Sequence, residues 1–133
     1  MATFTTAAFD LIDRPVLGHL ATVGRDGAPR VTPLWIGHDG DDVLINTAAG
    51  RVKAHDAQIG SKVAMSIVDP DDVYRVVAFR GSVADVTTVG ADAHIDALAH
   101  TYLGVDSYPG RRPYEVRLTI RIRPERIVMQ PAD

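Results

Sequence analysis

The strongest constraint on the fold is an alternation of apolar and polar residues near the end of the chain. The apolar positions are Tyr114, Val116, Leu118, Ile120 and Ile122, and the polar ones between them are Glu115, Arg117, Thr119, Arg121 and Arg123. Successive side chains of a β-strand point to opposite faces of the sheet. A period of two therefore predicts a strand over residues 114–123 with one buried and one solvated face.

Shorter β-rich runs precede this strand and are separated by turn residues. We predict them over residues 16–23, 31–37, 43–47, 62–68 and 74–86. Asp26-Gly27 between the first two runs is a strong hairpin signal, and Gly81 inside the longest run indicates a bulge or bend. With the final strand, the chain has six predicted strands. A sheet this small hides its edges most simply by closing into a barrel.

Two or three short helices complete the predicted set of elements. Thr5 or Thr6 can cap a helix that ends at Ile12, and residues 48–58 could form another. A third helix is predicted because apolar residues recur at helical spacing before Gly104, a typical helix stop. These apolar residues are Ile95, Leu98, Ala99, Tyr102 and Leu103.

Composition and charge exclude several classes of function. The absence of cysteine excludes a disulfide framework, a thiolate zinc site and a cysteine nucleophile. A net charge of -3 argues against a dedicated nucleic-acid binder. No apolar run approaches the roughly 20 residues that cross a bilayer, and the N-terminal residues lack the pattern of a secretory signal. We expect residues 1–133 to form a single cytoplasmic domain with no nucleic-acid partner and no membrane insertion.

The best candidate for a binding site is the segment 47–55, Thr-Ala-Ala-Gly-Arg-Val-Lys-Ala-His. Arg51 and Lys53 share a side in extended backbone, whereas on a formed helix they would diverge. Gly50 allows close approach of a ligand, and a helix starting here would present free N–H groups to an anion. The two cations suit a phosphate or polycarboxylate. The same residues are also compatible with two solvated cations on a surface helix.

A second candidate is the run Thr32-Pro33-Leu34-Trp35. Pro33 removes a hydrogen-bond donor from a strand, which favours an edge strand or a bulge. Spare backbone groups beside the sole tryptophan could accept a planar heterocycle, although Trp35 could equally be a core or interface residue.

No residues of the chain form a recognisable catalytic or metal-binding set. The five histidines show no spacing typical of a metal site, and no serine lies in a nucleophile motif. No pair of carboxylates stands out as an acid–base couple. If the protein is an enzyme, a cofactor therefore carries the chemistry.

Taken together, several segments resemble the pyridoxamine-phosphate-oxidase-like split β-barrel superfamily of flavin and deazaflavin proteins. Within it, the chain looks most like small actinobacterial enzymes that use the deazaflavin coenzyme F420. The resemblance extends from about Leu17 to Val128. It is carried by Leu20-Ala21-Thr22-Val23-x-x-Asp26-Gly27-x-Pro29, Val31 to Trp35, Thr47 to Lys53, Tyr74-Arg75 before the Gly81 strand, and Tyr102-Leu103-Gly104.

The resemblance implies an FMN-binding-like, mainly β split barrel that forms a homodimer with two cofactor sites at the interface. In such proteins the strand matching Val31 to Trp35 lies along the ring system. The loop matching Thr47, Ala48, Gly50, Arg51 and Lys53 holds the phosphate and part of the acidic tail. Tyr74 and Arg75 would reach the site from the other subunit. Val52 stands where several relatives have glutamine, so one polar contact is expected to be missing.

The activity that the resemblance implies is transfer of a hydride from reduced F420 to an electron-poor small molecule. Tyr74 is the candidate proton donor. One alternative keeps the fold but uses FMN. Another is a non-catalytic cofactor-binding or haem-binding protein, for which His19, His38 or His55 would supply an axial ligand.

Overall fold

One antiparallel sheet contains all the strands of the described residues, and three helices accompany it there. This computed structural model describes residues 2–131; Met1, Ala132 and Asp133 lie outside the described residues. The strands are β1 (Gly18–Val23), β2 (Pro29–Leu34), β3 (Gly37–Asp39), β4 (Asp42–Ala48), β5 (Lys62–Asp69), β6 (Asp72–Thr87) and β7 (Arg117–Gln130). The helices are α1 (Thr6–Ile12), α2 (Val52–Asp56) and α3 (Ala91–Leu103). The predicted mainly β, antiparallel fold is confirmed.

The sheet is a barrel that remains split between its two edge strands. Its order is β2-β1-β5-β6-β7-β4-β3, so the edges β2 and β3 are consecutive in sequence. The run predicted as one strand over residues 31–37 divides at Trp35 and Ile36, because its first part pairs with β1 and its second part with β4. The sheet therefore has seven strands rather than six. Pro33 lies on an edge strand, as predicted.

Tyr102 of α3 links the two sides of this split. Its hydroxyl donates to the carbonyl of Val16 before β1 (2.7 Å) and accepts from the N–H of Ile36 before β3 (3.0 Å). Burial raises the pKa of Tyr102, although the bond from Ile36 acts in the opposite direction. The phenol therefore stays protonated at neutral pH and keeps its donor role.

We expect Tyr102→Phe to lower the free energy of unfolding by about 1–3 kcal/mol, since the partly buried groups of Val16 and Ile36 lose their partner. Urea unfolding measures this change. Tyr114→Phe is the matched control because Tyr114 is fully exposed, and such a surface change is expected to stay within about 0.5 kcal/mol. Equal effects of the two substitutions would show that the hydroxyl does not join the barrel edges.

The helices differ in how closely their observed bounds match those predicted from the sequence. The first is capped by Thr5, whose Oγ1 accepts from the N–H of Ala8 (3.1 Å), and the third ends at Gly104 in the left-handed conformation. The helix predicted over residues 48–58 is confined to Val52–Asp56. None of the helices in residues 2–131 has the length and apolar character to span a bilayer.

The final strand begins later and ends later than its alternation predicts. It starts at Arg117 and continues to Gln130. Tyr114 instead has a positive φ of 66°, and the N–H of Glu115 donates to the carbonyl of Arg112 (3.3 Å). These residues form a turn, so the alternation over 114–116 does not belong to the sheet.

Candidate anion-binding cleft

A cleft of about 280 Å³ lies where the ends of several elements meet beside the split of the barrel. The ends of β2 and β4, the start of α2, one side of α3 and the start of β7 all contribute to it. Six residues predicted from the sequence line this cleft: Pro33, Leu34, Trp35, Thr47, Arg51 and Lys53. The structure thus brings the two candidate segments into one site.

Arg51 and Lys53 lie on the same side because the helix begins between them. Arg51 is extended (φ −76°, ψ 155°) and precedes the first helical residue, Val52. Both cations line the cleft, whereas Val52 does not and is largely exposed. Burial lowers the pKa of Lys53, and the charges of Arg51 and Arg117 lower it further. Three cations are therefore close enough to repel one another, and a bound anion would relieve that repulsion.

The third cation, Arg117, was not predicted from the sequence. The alternation over 114–123 places it on the solvated face, but it is only 6% exposed and lines the cleft. Its Nε donates to Oδ1 of Asn46 (2.9 Å), and its Nη1 donates to Oε1 of Glu115 (2.6 Å). The guanidinium carbon lies 5.3 Å from the centre of the Tyr108 ring. Arg117 is thus held on three sides.

One sequence signal could have revealed this buried polar cluster. Asn46 and Thr47 are two polar residues at the end of the apolar strand β4, and both are buried. Pairing of β4 with β7 sets Ala48 opposite Arg117, so the polar end of one strand adjoins the arginine of the next. A buried polar pair needs hydrogen-bond partners, and Arg117 supplies one.

The other side of the cleft is aromatic and apolar. The Trp35 ring stacks on Tyr102, with centroids 5.3 Å apart and planes 17° apart. Tyr108 meets Trp35 edge-on, at 5.9 Å and 85°. Ile95 and Leu98 of α3 add an apolar lining. A cationic side next to an aromatic side suits a ligand with a flat ring and an anionic group.

Three of the predicted site residues are near the cleft but do not line it. Thr32 lies within β2, and Ala48 ends β4. Gly50 has a φ of +90°, a conformation that favours glycine. Its role is to let the loop turn from β4 towards Arg51.

Tyr74 and Arg75 do not line the cleft of their own chain. Neighbouring residues of a strand face opposite sides, and the two side chains indeed differ. Arg75 donates to the carbonyl of Ala7 (2.6 Å) and to Oδ2 of Asp69 (3.3 Å), whereas Tyr74 is 82% exposed. Tyr74 therefore contributes no side chain to the cleft of its own chain.

A second depression, of about 470 Å³, crosses the outer face of the sheet. We call it the sheet groove; its lining includes His19, Ala21, Val31, Ala64, Ser66 and Ala78. Leu17 and Pro33 of the cleft are two residues from His19 and Val31 of the groove, respectively, so each pair shares a face. The cleft and the sheet groove are therefore neighbours on the side of the sheet formed by β1 and β2.

The three histidines considered as haem ligands lie in different surroundings. His38 has both ring nitrogens engaged, with Asp13 (2.7 Å) and with the carbonyl of Gly40 (3.0 Å). His19 and His55 are exposed, and His19 borders the sheet groove. Within residues 2–131, no group of three or more His, Asp or Glu side chains is placed to hold a metal ion.

The fold and the cleft define a split β-barrel protein with a cationic cleft beside the open edge of the barrel. The sequence matches the pyridoxamine 5'-phosphate oxidase family over residues 4–130. Because this match spans almost the whole chain, the protein belongs to that family. No curated protein sequence matches the chain.

Solved structures with the same fold include one that is 33% identical to this chain in sequence. An F420 reductase is 33% identical, with a TM-score of 0.76, over 90% of this chain and 94% of its own. A conserved hypothetical protein from Mycobacterium tuberculosis is 22% identical, with a TM-score of 0.74, over 95% and 84% of the two chains. An FAD and haem binding protein from Mycobacterium smegmatis is 20% identical, with a TM-score of 0.66, over 92% and 67%. The last two share the fold alone.

Proposed function

We propose that this protein is a reductase that uses the deazaflavin coenzyme F420. It would transfer a hydride from the reduced coenzyme to an electron-poor small molecule such as an enone, a quinone, a nitro compound or a tetrapyrrole. The observation that carries this proposal is the cleft, in which three cations adjoin an aromatic wall. The likeness to an F420 reductase at 33% identity supports it.

The chain's own residues would bind, orient and shield the coenzyme. Arg51 and Lys53 would hold the phosphate and part of the acidic tail, since both line the cleft. The β2 segment that ends at Trp35 would lie along the ring. When bound, the reduced coenzyme supplies the hydride; the protein contributes positioning and exclusion of water. Ile95 and Leu98 would serve that exclusion.

We also propose that the protein acts as a homodimer in which the sheet groove is covered by a second copy. The small side chains of Ala21, Ala64 and Ala78 allow another sheet to approach closely. Tyr74 alternates with Ala78 along β6 and so projects from the same face. Since the groove adjoins the cleft, a second copy could bring its Tyr74 to the site as a trans contact and candidate proton donor. Arg75, tied to Asp69, would position that strand.

Ala64→Arg places a long charged side chain in the middle of this face. We expect it to convert a dimer into a species of 14.3 kDa and to weaken coenzyme binding, because burying an unpaired charge costs several kcal/mol. Light scattering and a coenzyme titration measure the two effects. Ala28→Arg in the exposed β1–β2 turn is the control and should leave both unchanged. A dimeric Ala64→Arg variant would place the interface on another face.

Fluorescence titration of the purified protein with F420, beside the same titration with FMN, tests the proposed cofactor. Tight binding of F420 alone, followed by oxidation of reduced F420 in the presence of an acceptor, would support the proposal. Tight binding of FMN alone would make the protein a flavin-dependent oxidoreductase. If neither binds, a carrier or haem-binding role takes precedence, with His19 beside the sheet groove as the candidate ligand.

A further inference from the structure

We propose that Glu115 is a specificity-determining residue of the cleft: an internal counter-anion that limits how strongly the site binds highly charged phosphate groups. The inference rests on the proposed function only in assigning the cleft to a phosphate-bearing coenzyme. It concerns a residue that lies behind the cleft and does not itself line it.

The position of one carboxylate oxygen carries the inference. Oε1 of Glu115 lies 2.6 Å from Nη1 of Arg117 and 3.7 Å from Nη2 of Arg51. Within residues 2–131, no other carboxylate lies within ion-pair distance of either guanidinium, and none pairs with Lys53. The carboxylate is only 9% exposed. It thus holds a place between two cations that an anionic ligand would also approach.

Glu115 is fixed there by its own backbone surroundings. The N–H of Arg112 donates to Oε2 of Glu115 (3.1 Å), and the adjacent carbonyl of Val116 accepts from the N–H of Ala49 (2.8 Å). Burial acts to raise the pKa of Glu115, but the bonds from Arg112 and Arg117 outweigh it and the pKa is lowered. The carboxylate is therefore charged at neutral pH and cannot easily leave the cations.

The charge of the cleft follows from this arrangement. Arg51, Lys53 and Arg117 contribute three positive charges, and Glu115 removes one of them. Nη2 of Arg117 has no hydrogen-bond partner within the described chain, while Nε and Nη1 are engaged, so Arg117 can still offer a donor to a ligand. A site with about two net charges matches a coenzyme with one phosphate and a nearby carboxylate, and it disfavours more highly charged groups.

Replacing Glu115 by the isosteric glutamine keeps the volume and an acceptor for Arg117 but removes the negative charge. At a few ångströms and with the screening of a protein surface, one unit of charge changes anion affinity by about tenfold or more. The gain should grow with the charge of the ligand. The affinity for a neutral ring compound should not change with the substitution.

The test uses the sole tryptophan, Trp35, which lies in the cleft, as a fluorescent reporter. Pyrophosphate and riboflavin are titrated into the wild type, Glu115→Gln and the control Glu125→Gln, whose carboxylate pairs with the exposed Lys62. We expect Glu115→Gln to bind pyrophosphate about tenfold more tightly, with a steeper salt dependence, and riboflavin unchanged. Glu125→Gln should behave as the wild type.

Three results would overturn the proposal. Unchanged or weaker pyrophosphate binding by Glu115→Gln would show that the carboxylate does not oppose anions, and equal weakening for riboflavin would make it a purely structural support. Absence of pyrophosphate binding in every variant would also overturn the proposal. Because pyrophosphate titration needs no coenzyme, a wild type that fails to bind F420 leaves this test intact. Adding Arg117→Met to Glu115→Gln should abolish the gain.

Discussion

Simultaneous replacement of Arg51 and Lys53 by alanine is expected to weaken coenzyme binding by about a thousandfold while the fold stays intact. Hydrogen bonds to charged groups contribute about 1.5–3 kcal/mol each, and each 1.4 kcal/mol corresponds to about a factor of ten in affinity. Both side chains line the cleft, and neither is part of the core. Fluorescence titration with F420 and with FMN measures the loss.

A matched control removes two cations elsewhere. Lys62 and Arg123 are exposed and pair with Glu125 and Asp42 on the surface, so Lys62→Ala with Arg123→Ala changes the net charge equally. This variant should bind the coenzyme as the wild type does. If Arg51→Ala with Lys53→Ala loses less than about tenfold, or no more than the control, the cleft is not the phosphate site.

The second large effect concerns stability. Gly81→Ala is expected to lower the free energy of unfolding by about 3 kcal/mol or more, because a Cβ there would overlap the carbonyl oxygen of Arg123 and crowd Cα of Pro124. Both are backbone atoms of β7 and cannot turn aside, so the two longest strands would have to separate. The pairing of β6 with β7 already shifts register next to Gly81, which confirms the predicted bulge. A single domain has only about 5–15 kcal/mol of stability in total.

Thermal and urea unfolding of Gly81→Ala measure this loss. Gly40→Ala is the control, because Gly40 has a positive φ of 60° but open space around a new Cβ. The control should cost only the strain of the left-handed conformation, about 1–2 kcal/mol. Similar losses in the two variants would mean that β7 yields at Arg123, contrary to the close approach of the two strands.

Local patterns in the sequence predicted most of the strands and the first and third helices. Alternation, the Asp26-Gly27 turn, Pro33 on an edge and the glycine after the third helix all depend on a few neighbouring residues. For such features the backbone geometry is set by local sterics and by which side chains avoid water. The cation pair Arg51 and Lys53 could be proposed for the same reason, since the spacing of two residues is itself local.

The environment of Arg117 could not be predicted from local sequence patterns. Its alternation correctly gives the face of β7 on which it lies, but not what covers that face. The neighbours of Arg117 are Asn46 on another strand, Tyr108 in a loop and Glu115 in a turn. Whether a polar face meets water or a buried network depends on residues that are far apart in the chain.

The sequence by itself therefore determined the strand and turn pattern, the fold family through the order of its segments, and the two cations of the β4–α2 loop. The tertiary structure alone decided that the barrel splits at Trp35 and Ile36, that this split is bridged by Tyr102, and that a third cation lines the cleft with its own carboxylate behind it. The physical reason is the distance along the chain over which each kind of interaction acts. Dihedral preferences and side-chain periodicity act over a few residues, whereas burial and charge pairing depend on which distant segments come together.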